Sequence, residues 1–178
     1  MALDSDAVRV AVSGSVYVGP VGTAPPTDSG SVLEAGFKDL GYLSSDGISE
    51  DFGRETTTVK GWQNGATLRE ITSGGTYSVS MTFLETNLDV LELYFGATIT
   101  DGVLDGNPAS TGGRKSFVFD VLDGPDNIER TYIPSGEVTS VGERVLVSGE
   151  AVGYSVVLTA YADANDVTYK KFFSSFEV

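Results

Sequence analysis

Thr76-Tyr77-Ser78-Val79-Ser80-Met81-Thr82-Phe83 is the stretch whose reading decides the fold. Tyr77, Val79, Met81 and Phe83 fall on alternate positions with hydroxyl-bearing residues between them, and a period of two is that of a β-strand with one buried face. The same alternation recurs on both sides. Val8, Val10 and Val12 alternate with Arg9 and Ala11, and Val16 and Val18 continue the register after Gly14. Phe117, Phe119 and Val121 form a further strand, which turns through Asp123-Gly124-Pro125-Asp126-Asn127 into Ile128 to Ile133 and ends at Pro134. This reads as a hairpin with a loop of about six residues. Tyr154, Val156, Leu158 and Ala160 alternate again, and a polar turn bounded by Asp163 and Asp166 leads into a last strand over residues 168–176. The expected fold is mostly β.

One segment breaks the period. In residues 84–95, Leu84, Leu88, Leu91 and Phe95 stand at helical spacing, with Glu85, Asp89 and Glu92 on the opposite face. Thr86 or Asn87 suits the N-cap, Asp89 suits the positive end of the helix dipole, and Gly96 suits the position just past the end. A short packed helix is expected there. Residues 19–36 and 100–113, rich in glycine and proline, read as surface loops of one domain spanning residues 1–178. Residues 44–75 are polar and β-branched, with large apolar groups only at Ile48, Phe52, Val59, Trp62, Leu68 and Ile71, and with Gln63-Asn64-Gly65 as a tip. They predict a long hairpin arm that leaves the body. A two-stranded ribbon alone is marginal in water, so the arm needs a partner surface.

Composition excludes whole classes of chemistry. The 178 residues contain no histidine and no cysteine, which removes Ser-His-Asp and thiol mechanisms, histidine or thiolate zinc sites and any disulfide framework. Residues 1–18, with Asp4 and Asp6 near the start, lack the basic start and apolar run of a secretory signal. No stretch approaches the ~18 apolar residues of a membrane span. With 25 acidic against 11 basic side chains, the net charge is −14. Arg114-Lys115 and Lys170-Lys171 are the adjacent basic pairs, too few for a phosphate footprint, so tight DNA binding is not expected.

The run Gly14-Ser15-Val16-Tyr17-Val18-Gly19-Pro20-Val21-Gly22-Thr23-Ala24-Pro25-Pro26, followed by Phe37-Lys38-Asp39-Leu40-Gly41-Tyr42-Leu43-Ser44-Ser45-Asp46-Gly47-Ile48, resembles the start of the major tail (tail tube) proteins of long-tailed, non-contractile bacteriophages, especially those of actinobacterial hosts. Lys60-Gly61-Trp62-Gln63-Asn64-Gly65-Ala66, Thr82-Phe83-Leu84-Glu85-Thr86-Asn87, Leu91-Glu92-Leu93-Tyr94-Phe95-Gly96, Glu150-Ala151-Val152-Gly153-Tyr154 and Leu158-Thr159-Ala160-Tyr161 follow in the family's order. The immunoglobulin-like domain that some relatives append is not expected here. The resemblance implies a β-sandwich or partial barrel with one helix packed on it, a structural subunit and not an enzyme, that assembles with copies of itself into stacked hexameric rings, and it implies no cofactor and no metal. The tube would meet tape measure and tail terminator proteins, pass DNA without holding it, and lie in the virion tail after assembly in the host cytoplasm, away from any membrane. The arm would supply the ring-to-ring contact, through Phe52, Arg54, Val59, Trp62, Gln63 and Leu68.

Each of these residues has a plainer reading. Trp62 alone is either a core residue or an interface anchor, and its polar neighbours Lys60, Gln63 and Asn64 favour the anchor. Asp101, Asp105 and Asn107 lack the regular spacing and distal glutamate of a calcium loop. Asp123 and Asp126 are turn formers. Glu50 and Asp51 read as solvated groups of the arm, because no apolar pocket adjoins them in sequence. Gly74-Gly75 lacks the lysine of a phosphate loop. A carbohydrate- or receptor-binding β-sandwich of the virion is the alternative, but residues 100–113 offer no aromatic side chain for it. A carboxylate-only glycosidase is disfavoured by the single tryptophan.

Overall fold

Hydrophobic alternation builds the body strand by strand. The computed structural model describes residue 3 and residues 7–125 and 127–176; Asp4, Asp6 and Asp126 lie outside the described residues. The strands are β1 (Ser13–Pro20), β2 (Lys38–Asp39), β3 (Leu43–Lys60), β4 (Thr67–Phe83), β5 (Ile99–Thr100), β6 (Val103–Leu104), β7 (Lys115–Asp123), β8 (Asn127–Val141), β9 (Tyr154–Ala160) and β10 (Lys170–Phe173), with one α-helix, α1 (Leu88–Phe95). The main sheet is antiparallel in the order β2-β1-β7-β8-β9-β4-β3, with β10 added to β8. Tyr77, Val79, Met81 and Phe83 are buried as their alternation predicts, as are Tyr154, Val156, Leu158 and Ala160 on the paired β9.

Val16, Val18, Phe117 and Phe119 from one end of this order share a core with Tyr77, Val79 and Phe83 from the other. The sheet therefore curls on itself as a partial barrel, and its ends β1 and β3 approach without pairing. Each of these large side chains contributes roughly 1.5–3 kcal/mol on burial.

Several elements differ from the alternation reading. Val8, Val10 and Val12 are exposed and precede β1; only the Val12 amide joins the sheet edge, donating to Leu122 O at 2.9 Å. The β7–β8 turn is tighter than expected, since Asp123 already pairs with Asn127. β8 does not stop at Pro134. β10 pairs with β8 from Glu129 to Tyr132 and β9 from Gly136 to Val141, so Pro134 falls between two partners, where no ladder needs the N–H it lacks. On its other side the β7 register slips between Lys115 and Phe117, and Ser116 Oγ donates to Pro134 O at 2.8 Å. The last strand is shorter than expected and gives way to a 3-10 turn at Ser174–Phe176. Within residues 100–113, β6 pairs with β5 as a small hairpin.

The helix starts at Leu88 and not at residue 84. Asn87 caps it, its Oδ1 accepting from the Val90 amide at 2.9 Å, and Gly96 ends it in the left-handed region at φ 62°. A Cβ on Gly96 would overlap the Ser110 carbonyl, so glycine is required there. Val90 and Leu93 form the buried face, while Leu88 is 51% exposed. The expected stripe was rotated because Leu84 belongs to the link after β4, whose amide donates to Tyr42 O.

The loop over residues 21–36 covers the outer face of β7 and β8. Asp120 and Arg130 are register partners on that face and form a buried bidentate pair at 2.7 Å in both arms. Arg130 Nη1 also donates to Ser31 O at 2.6 Å, fastening the loop.

Candidate functional site

β3 and β4 continue far beyond the body as a paired ribbon. From Phe52↔Tyr77 outward the register runs through Arg54↔Gly75, Thr57↔Ile71 and Val59↔Arg69 to Lys60↔Thr67, with irregularities at Glu55/Thr56 and Val59/Lys60. Opposed threonines and glycines sustain strand pairing while giving a core nothing to bury. Beyond the Phe52↔Tyr77 pair no side chain among the described residues is buried. The tip is closed by Gly61 N donating to Ala66 O at 2.8 Å. Asn64 and Gly65 both adopt positive φ, 59° and 62°, which is why an Asn-Gly pair stands there.

The structure gathers four of the six expected arm residues near the tip. Trp62 is 99% exposed, which removes the core reading; Leu68, Val59 and Gln63 are exposed around it, and Leu68 packs close to Gly61. Arg54 lies further down, exposed. Phe52 is not at the tip at all. It stacks on Tyr77 at 4.7 Å and meets the edge of Tyr169 at 5.7 Å, so it belongs to the arm's root.

At that root Glu50 is exposed, as its sequence suggests, but it is also paired. It accepts from the Tyr77 hydroxyl and from Lys171 Nζ at 2.8 Å, and Lys171 also donates to Glu129 at 2.6 Å. β3, β4, β8 and β10 thus meet on one lysine. Burial alone would lower the Lys171 ammonium, but its hydrogen bonds to Glu129 and Glu50 hold it above the ordinary value. Burial, then the Glu50 hydrogen bond, pushes the Tyr77 hydroxyl upward. These groups clamp the arm to the body. Spacing could not reveal them, because Glu50 and Lys171 are 121 positions apart.

The second open feature is the sheet edge. β3 pairs only on its β4 side, and β2 covers just Tyr17 and Val18 of β1. Between β1 and β3 runs an open groove of about 650 Å³, lined by Ser13, Ser15, Leu43 and Ile48, where Ser44 Oγ is buried without a hydrogen-bond partner. Unpaired backbone of this kind is a template for strand addition.

Among the described residues no group of three acidic side chains is placed to hold a metal. Asp101 takes a turn conformation at φ 51°, and Asn107 Oδ1 accepts from the Ala109 amide. Asp123 faces Arg9 at 3.8 Å. Among the described residues no helix is long and apolar enough to cross a membrane.

The model of a family described as phage tail tube protein matches residues 1–175. No curated protein matches the chain. Solved structures resemble it, three of them as follows. One is from the virion of a native gene transfer agent particle, at 12% identity and TM-score 0.41, covering 89% of this chain and 94% of the other. A second, from the tail of an empty gene transfer agent particle refined with C6 symmetry, has 14% identity and TM-score 0.42 and covers 91% and 96%. The third, from the six-fold symmetrised baseplate of the anti-feeding prophage, has 12% identity and TM-score 0.47 and covers 97% of both.

Proposed function

The chain belongs to the phage tail tube protein family, and from that premise we propose that it is the repeating subunit of the tube of a long-tailed, non-contractile bacteriophage, stacked as hexameric rings around a channel for DNA ejection. It is a structural component of the tail, not an enzyme. The observation that carries the proposal is the arm: a ribbon that leaves its own core and ends on a tryptophan exposed to 99%. Such a surface is stabilised only when a neighbour covers it. The unpaired β3 edge and the bare part of β1 supply the lateral contacts that join sheets around a ring. A net charge of −14 keeps DNA hydrated and sliding past the subunits.

On this reading the tube meets the tape measure protein inside and a tail terminator at its end, and it assembles in the host cytoplasm. The two N-terminal motifs, from Gly14 and from Phe37, support an actinobacterial host. Electron microscopy of the purified chain tests the proposal: rings or tubes are expected. A subunit that stays monodisperse at high concentration, or labelling of native particles outside the tail, overturns it.

A further inference from the structure

The arm tip has the opposite charge from the molecule that carries it. Residues 59–69 hold Lys60 and Arg69 and no carboxylate, whereas residues 70–113 hold Glu70, Glu85, Asp89, Glu92, Asp101 and Asp105 and no lysine or arginine. Glu70 stands on the arm beside Arg69, whereas the other five belong to α1 and the segments on either side of it. There, between the end of α1, the loop around Pro108 and the last residues of β8, lies an open groove of about 430 Å³. Leu93, Phe95, Leu104, Pro108, Val138 and Val141 give it an apolar lining. Asp105, between the lining residues Leu104 and Gly106, and Glu143, two residues past Val141, are both exposed, while the Arg144 cation lies over the rings of the lining residue Phe95 and of Tyr154.

Tip and groove stand at opposite ends of the subunit. The 17 residues of β4 run from the tip to Phe83 and span roughly 55 Å when extended. α1 begins just beyond Phe83, and Val141 is level with Val156 on the strand whose Tyr154 pairs with Phe83. A cationic, aromatic knob at one end and an apolar groove flanked in sequence by Asp105 and Glu143 at the other make a head-to-tail pair, which in a parallel stack repeats without limit. Opposite charge fixes which surface the knob meets and disfavours tip-to-tip contact.

We propose that the arm tip of one copy of this chain docks in the helix-end groove of a second copy, with the Trp62 ring against the apolar lining and Lys60 and Arg69 facing Asp105 and Glu143. This rests on the tube-subunit reading and names the surface that receives the arm.

The chain has no cysteine, so a thiol introduced by mutation is the only one of its kind. Gln63→Cys and Asn107→Cys in one chain, oxidised after tube assembly, should give ladders of linked chains on denaturing gels that neither single variant gives. Tubes that form normally but give no ladder, with a short bis-maleimide as well as with oxidant, overturn the docking site and leave the tube reading intact. Lys60→Glu with Arg69→Glu should abolish assembly of soluble, folded subunits, and adding Asp105→Lys with Glu143→Lys should restore it. Normal assembly of the first pair, or no recovery in the four-fold variant despite a wild-type circular dichroism spectrum, overturns it too. Failure of the wild-type chain to form rings or tubes would remove the function proposal and this one with it.

Discussion

β4 is one strand with two lives. From Tyr77 to Phe83 its alternate side chains are buried against β9 and α1, while from Thr67 to Thr76 the same backbone pairing continues with nothing beneath it. The difference is not in the hydrogen-bond ladder, which β3 supplies along nearly the whole length. It lies in what the alternate positions carry: Tyr77, Val79, Met81 and Phe83 in the body, against Arg69, Ile71, Ser73 and Gly75 in the arm. A ladder makes a strand; an apolar face decides whether that strand belongs to its own molecule or to a neighbour.

The sharpest way to break this comparison is to truncate one large ring in each half of the hairpin. Phe83→Ala should cost about 3–5 kcal/mol of folding stability through lost burial and the cavity left behind. Trp62→Ala should stay within about 0.5 kcal/mol of wild type, as exposed substitutions do, and yet prevent assembly. Denaturant unfolding of monomeric protein, read beside micrographs, checks both. A large loss of stability in the tryptophan variant would merge the arm with the body.

Next in size is the fastening on the outer face. Asp120→Ala leaves the buried Arg130 guanidinium without its carboxylate, and about 3 kcal/mol should be lost. The measurement is again denaturant unfolding, and Arg54→Ala on the arm, within about 0.5 kcal/mol of wild type, is the control.

The root is intermediate between the two regions, and so is the effect expected there. Lys171→Met leaves Glu50 and Glu129 together without a cation and should cost about 1–2 kcal/mol, less than a fully buried pair because the lysine keeps some solvent contact. The folded state holds the Lys171 ammonium above its ordinary 10.5, so its contribution is fully present below that pH and fades only as pH rises through the higher folded value. The difference between wild type and variant should therefore be flat from neutral pH into mild alkali and shrink in strong alkali. A difference that shrank near neutrality would assign the stabilisation elsewhere.

The smallest expected effect is at the link from β4 to the helix. Asn87→Ala removes the side-chain acceptor for the Val90 amide, and a loss of about 1 kcal/mol is expected in thermal unfolding. Asn87→Asp keeps that acceptor but loses the Nδ2 donation to Leu40 O, and should restore only part of it.

These residues also mark how far the sequence could be read. The inner halves of β4 and β9, the turn at Asp163, the glycine after the helix and the exposed ribbon with its Asn-Gly tip are all local patterns of period, turn chemistry and composition, and each was visible as such. What misled the reading was alternation without a second strand to meet it. Val8, Val10 and Val12 have strand periodicity but only one amide in the ladder, and Pro134 reads as a stop because its partner switch depends on where β9 and β10 lie. The root clamp was invisible for a similar reason. Glu50 acquires its meaning from Tyr77, Glu129 and Lys171, which no spacing rule connects. The Arg130 fastening, too, joins residues about a hundred positions apart.

That clamp sets a clock on the making of the subunit. Lys171 follows Glu50 by 121 residues, and at a synthesis rate of roughly 5–20 residues per second the ribosome needs roughly 6–24 s to cover that distance. During this interval the arm is already made, with its tryptophan and its two cations, but the lysine that ties its root to β8 and β10 does not yet exist. A nascent chain therefore carries an unanchored ribbon among other nascent chains of the same kind, and only a subunit whose β10 has been added holds the ribbon in one direction. Synthesis of β10 and the fastening of the arm's root are, in this fold, the same event.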